Sequence, residues 1–200
     1  MKTRLLSLIT TLAMTMLLSG CWIPEDFDAN ITVNKDGSYT FAYEGTLTYA
    51  LALMAAKDGV FSEKDEANLK KEAGKISKQP GVKEVEYKGE GRYRVVVEKS
   101  GKAGEKYIFL SGNSKIFAIT PKQDGAIEIK AVHISDKDLN KLKSMGAKIN
   151  GALTVSVAQG VTVLKHNAQS EPKMFGMLGG YQWNIESFEN PPLIEVQPSK

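Results

Sequence analysis

The sequence predicts an α+β domain, with antiparallel sheet packed against about three helices, and three observations carry that prediction. Short apolar–polar alternations recur along the chain, each bounded by Gly, Asn or Asp turns. Three stretches depart from the alternation and carry helical patterns, two of them opened by Ser-x-x-Asp. Nothing in the 200 residues repeats or is of low complexity. Sheet-forming and helix-forming segments in one chain of this length pack as layers around one core.

Phe27, Ala29, Ile31 and Val33 alternate with polar residues and read as a half-buried strand. Asn34-Lys35-Asp36-Gly37 turns the chain, and Tyr39, Phe41 and Tyr43 carry the return strand. Thr48 to Asp58 reads as a short helix, apolar on nearly every face and therefore expected to be buried, ending near Gly59. Ser62 to Gln79 reads as an amphipathic helix capped by Ser62 and Asp65, with Leu69, Ala73 and Ile76 as its inner stripe. Pro80-Gly81 stops it. A hairpin follows, Val82–Lys88 and Arg92–Lys99 about Gly89-Glu90-Gly91. Lys106–Leu110, Lys115–Thr120 and Ala126–Ile134 read as strands, with turns at Gly112-Asn113 and Gln123-Asp124-Gly125. Ser135 and Asp138 open a helix running to Met145 with Leu139 and Leu142 inward. Leu153, Val155, Val157, Val161 and Val163 read as a hairpin about Gln159-Gly160, and Tyr181–Phe188 and Leu193–Val196 as the last strands.

The N-terminus is an address. Met1-Lys2-Thr3-Arg4 is basic, Leu5 to Leu18 is apolar, and Leu18-Ser19-Gly20 precedes Cys21, the only cysteine. Fourteen residues at about 1.5 Å each fall short of a roughly 30 Å hydrocarbon core. The segment resembles the signal of bacterial lipoproteins. That resemblance implies cleavage before Cys21, which then carries a diacylglycerol and an acyl chain; no other cofactor is expected. The expected organisation is a leader over 1–20, a lipidated tether over 21–26 and one extracytoplasmic domain over 27–200. The membrane is the expected partner through Cys21, and Trp22 after the cysteine points to the outer membrane, facing the periplasm, in a cell with two membranes. No second cysteine is available for a disulfide, so the fold rests on its own core.

Composition narrows the function classes. The formal charge of +3 falls by two once Lys2 and Arg4 leave with the leader. Such a balance offers no field for nucleic acid. Only Arg92 and Arg94 remain, which argues against a dedicated anion site. No G-x-S-x-G, H-E-x-x-H, phosphate-loop or dinucleotide motif is present. His133 and His166 stand outside any zinc-ligand spacing. Thr32 to Tyr43 lacks the first and twelfth ligands of a calcium loop. The expectation is a non-catalytic domain.

Two segments are candidates for contact with a ligand or membrane. Met174, Phe175, Met177 and Leu178 stand on a glycine-punctuated stretch, as a soft apolar lid or a membrane-dipping tip; one turn of core helix is the alternative. Tyr49, Leu53 and Met54 belong to an alanine-rich helix, where small side chains leave room for a ligand or allow close packing. Val161-Thr162-Val163-Leu164-Lys165-His166-Asn167-Ala168 followed by Tyr181-Gln182-Trp183-Asn184-Ile185 is similar to the C-terminal signature of LppM-type lipoprotein domains, with Ala168 where glycine is more usual. The Asn34–Gly37 hairpin is similar too, and the middle of the chain is not. The resemblance implies a mixed α/β fold and binding of a lipid or other envelope component. A structural or protein-interaction module of the envelope is the alternative function.

Overall fold

The computed structural model describes residues 22–110, 115–173 and 179–199. The leader, Cys21 and the Met174, Phe175, Met177 and Leu178 segment lie outside the described residues, as does the Gly112-Asn113 turn. Eleven strands and three helices follow one another as β1 (Trp22–Val33), β2 (Tyr39–Tyr49), α1 (Ala50–Lys57), α2 (Glu63–Ile76), β3 (Val82–Gly89), β4 (Arg92–Gly101), β5 (Tyr107–Phe109), β6 (Phe117–Pro121), β7 (Ile127–Ala131), α3 (Asp136–Ser144), β8 (Gly151–Val157), β9 (Thr162–His166), β10 (Tyr181–Ile185) and β11 (Leu193–Gln197). They form the expected α+β architecture in two sheets. One sheet is ordered β10-β8-β1-β2-β4-β3 and the other β5-β6-β7-β11-β9. Every pairing is antiparallel except β1 with β8.

Register places the alternating apolar residues on one face of the larger sheet. Ala29, Ile31 and Val33 stand opposite Tyr43, Phe41 and Tyr39, and Leu153, Val155 and Val157 flank them across the parallel pair. That face receives the smaller sheet through rings: Tyr43 and Phe109 lie 4.6 Å apart, Phe41 and Phe109 5.1 Å, and Phe27 and Phe117 6.0 Å. Such aromatic pairs add about 0.5–1.5 kcal/mol each beyond the area they bury. Phe27 lies over Gly45 and Gly151, where a Cβ would come within 2.4 Å of its atoms. Both positions therefore require glycine.

Among the described residues β1 runs from Trp22, five residues before the alternation that starts at Phe27. Residues 22 to 25 extend β1 by pairing with 46 to 49 of β2, and a bulge between Glu25 and Asp28 breaks the alternation that would have signalled it. β8 joins only from Phe27 onward, so Pro24 stands where β1 has one neighbour and tolerates the missing N–H. The expected tether over 21–26 is thus mostly strand.

The Leu153–Val163 hairpin is also corrected. β8 is bonded on one side to β1 and on the other to β10, so no edge remains for β9. The Gln159-Gly160 turn instead carries the chain to the smaller sheet, where β9 pairs with β11. Asn167 secures that crossing. Its Oδ1 accepts from the Trp183 indole at 2.9 Å and the Leu193 N–H at 2.8 Å, while its amide donates to the Pro191 carbonyl at 3.0 Å.

Helix α1 is only partly buried. Ala50, Ala52 and Leu53 face inward, while Leu51, Met54 and Ala55 are half-buried. Helix α2 has the expected capping box, with the Ser62 N–H donating to Asp65 at 3.0 Å and the Asp65 N–H to Ser62 Oγ at 3.2 Å. It buries no residue completely. It is held by tyrosines of the sheet: Tyr93 Oη donates to the Leu69 carbonyl at 2.7 Å and Tyr87 Oη to Glu66 at 2.8 Å.

Candidate functional site

Helix α2 and the smaller sheet cover different parts of the same sheet face, and they do not meet. Between them runs a cleft of about 660 Å³. Leu47, Val82, Val95 and Val97 of the larger sheet are its floor. Glu72, Lys75 and Ile76 of α2, with Gln79 just past its end, form one wall, and Tyr107, Ile108, Phe109 and Leu110 of the edge strand β5 and its end form the other. Trp22 closes one end, held between Tyr49 at 5.4 Å and Tyr93 at 5.3 Å between ring centroids.

The local sequence explains each surface. Tyr93, Val95 and Val97 alternate inward along β4, but the α2 stripe of Leu69, Ala73 and Ile76 covers only part of that row. β5, three residues long, is the edge strand of the smaller sheet on this side. Val95 and Val97 lie at the bottom of the cleft and are 1% exposed, while Ile76, Val82 and Ile108 above them are half-buried.

Its charges are paired at the rim. Lys75 Nζ lies 2.7 Å from Glu72, and Lys99 Nζ lies 3.0 Å from Glu105. The Lys102 N–H, first, and then Lys99 hold the Glu105 carboxyl below the usual carboxylate range. Burial pushes the Tyr107 phenol up to about 12, so the wall presents a neutral hydroxyl. Both arginines are engaged elsewhere: Arg92 by Glu25 and Glu90, and Arg94 by Glu44 and Glu84. The cleft is an apolar trough with a locally neutral rim, suited to a hydrocarbon body.

A shallower hollow of about 190 Å³ lies between α1 and the first half of α2, lined by Leu51, Ala52, Ala55, Phe61 and Leu69 with Tyr49 at its side. Of the residues singled out from sequence, Tyr49 therefore borders this hollow, Leu53 is core at 4% exposure, and Met54 is half-buried and lines neither space. The structure does not bring these three to the larger cleft. The cleft itself escaped sequence reading because its lining comes from segments scattered between Trp22 and Leu110. The one local signal was an apolar β4 row longer than the helix stripe facing it. His133 is exposed, and His166 stacks near Tyr181 at 4.6 Å. Among the described residues no three His, Cys, Asp or Glu side chains gather to hold a metal ion, and no helix is long and apolar enough to cross a membrane.

No family model matches the chain, and no curated protein does. Among solved structures the chain is similar to the folded domain of the Mycobacterium tuberculosis LppM protein, determined by NMR. The two share 12% identity and a TM-score of 0.37, over 90% of this chain and 93% of that one.

Proposed function

We propose that this chain is a lipid-anchored protein of the bacterial envelope that binds an apolar or amphipathic envelope component without chemical transformation. The anchor is Cys21, and in a cell with two membranes its site is the periplasmic face of the outer membrane. One observation carries the binding reading: the cleft between α2 and β5 has a floor of Leu47, Val82, Val95 and Val97 and a volume of about 660 Å³, within the range of roughly 300–1,000 Å³ typical of small-molecule sites. The rim pairs Lys75–Glu72 and Lys99–Glu105 leave no net charge there, which favours a ligand of low net charge.

Native mass spectrometry of the purified mature protein tests the class of ligand, and titration with a dansyl-labelled fatty acid tests the place. Ile76→Lys and Ile108→Lys put a charge on each wall at half-buried positions. Each is expected to weaken dansyl binding at least tenfold, about 1.4 kcal/mol, with the fold retained. Undiminished binding in both variants would remove the cleft from consideration. A second reading draws on β5, an edge strand walling the cleft, since an extended peptide can add to such an edge. A co-purifying peptide in place of lipid would favour it.

A further inference from the structure

The end of the domain that carries Trp22 also carries an apolar surface that the binding cleft does not use. Trp22 pairs with Tyr49, and α1 starts at the next residue. Helix α1 lies over the β3–β4 turn: the Tyr49 N–H donates to the Gly91 carbonyl at 2.9 Å, and a Cβ on Gly91 would stand 2.3 Å from the Ala52 methyl. The α1–α2 loop and the first half of α2 return to the same end, where Glu66 meets Tyr87 and the Glu90 N–H. Here Val60 is 68% exposed, the most exposed large apolar residue among those described. Leu51 and Phe61 line the 190 Å³ hollow, and they and Met54 of α1 are half-buried.

We propose that this end is a membrane seat: Val60, Phe61, Leu51 and Met54 rest in the interfacial layer of the bilayer that holds Cys21. The inference rests on the acyl anchor of the proposed function. Cys21 is one residue from Trp22, about 3.8 Å along the backbone, and β1 is in the sheet from Trp22 onward, leaving no slack to lift the domain away. With acyl chains in the hydrocarbon, α1 lies at headgroup depth. The charges flanking Val60 and Phe61, namely Lys57, Asp58, Glu63, Lys64 and Asp65, nearly balance, so the seat needs no anionic lipid. It would also hold the Trp22 end of the cleft toward the bilayer.

The test uses the full mature protein reconstituted in phosphatidylcholine vesicles containing doxyl-labelled lipid. Acylation consumes the one native thiol, so Val60→Cys, Lys35→Cys and Leu164→Cys each offer a single site for an NBD fluorophore. Lys35 lies in the turn at the opposite end of β1, and Leu164 is a second exposed apolar residue at 51%. Doxyl quenching several-fold greater at position 60 than at 35 or 164, unchanged by added salt, supports the seat. Equal quenching at all three positions overturns it while leaving the anchor standing. Labels are counted by mass spectrometry: a second label, on Cys21, overturns the acyl anchor and the seat with it.

Discussion

Glu25 shows how much one side chain near the start of β1 carries. It is 5% exposed, and its carboxylate accepts from Thr48 Oγ1 at 2.6 Å and the Lys148 N–H at 2.8 Å, with Arg92 Nε at 3.4 Å. The Lys148 contact fastens the segment before β8 to the start of β1 across 123 positions of sequence. Removing the acceptor strands a backbone N–H, a hydroxyl and part of a guanidinium, so Glu25→Ala is expected to cost about 2–3 kcal/mol. For a domain of this size that lowers the melting temperature by roughly 5–10 °C. Glu25→Gln keeps an acceptor for Lys148 and is expected to fall less. Equal melting of wild type and Glu25→Ala would mean that water replaces the network. Asn167 is the counterpart at the other side of the fold. It drew notice as part of a signature, and its observed partners, Trp183, Pro191 and Leu193, give it a structural task.

Among the elements, α2 is the helix that walls the cleft. It buries no residue and depends on its cap and on two tyrosine hydroxyls. Ser62→Ala is expected to cost about 1 kcal/mol, a fall of roughly 2–4 °C in melting temperature. Hydrogen exchange should quicken along 62–76 before it changes in β1 or β2. Exchange that quickens evenly across the sheets would show that α2 opens only with the whole domain. The same element shows what was legible in the chain. Ser62 and Asp65 are three residues apart and interact with one another, so the cap could be read locally. The Gln159-Gly160 turn could be read as a reversal too, but not its consequence, because the partner of β9 is chosen by which sheet has a vacant edge. β1 was read short since Pro24 and the bulge before Asp28 hide four paired residues from the alternation. The cleft was not legible because Leu47, Ile76, Val97 and Phe109 converge only through the topology of two sheets.

At the scale of the whole molecule, the tyrosines set an alkaline limit. Burial pushes Tyr39, Tyr87 and Tyr107 from 10.0 up to about 12 and raises Tyr43 and Tyr93 further. The unfolded chain ionises at the ordinary value while the folded chain keeps these phenols neutral, so above that value folding is increasingly opposed. Melting temperature should hold steady on the alkaline side up to about pH 10 and fall steeply between about 10 and 12. Tyrosinate absorbance should appear together with unfolding; full tyrosinate absorbance in a folded protein near pH 10 would contradict the burial. The parallel pairing of β1 with β8 sets a limit of another kind, in time. A chain made from its N-terminus delivers β1 and β2 first, and they can zip at once across a short turn. The other flank of β1 waits for Gly151 and the residues after it, an interval shown by the Asn150–Asp26 contact to span 124 positions. Closing so long a loop is slow. Until it closes, the strand that ends at the centre of the larger sheet is a bare margin, open to pairing with the strands of other chains. For this domain the hazardous interval is the nascent one, and a holding factor would act on β1 before β8 arrives.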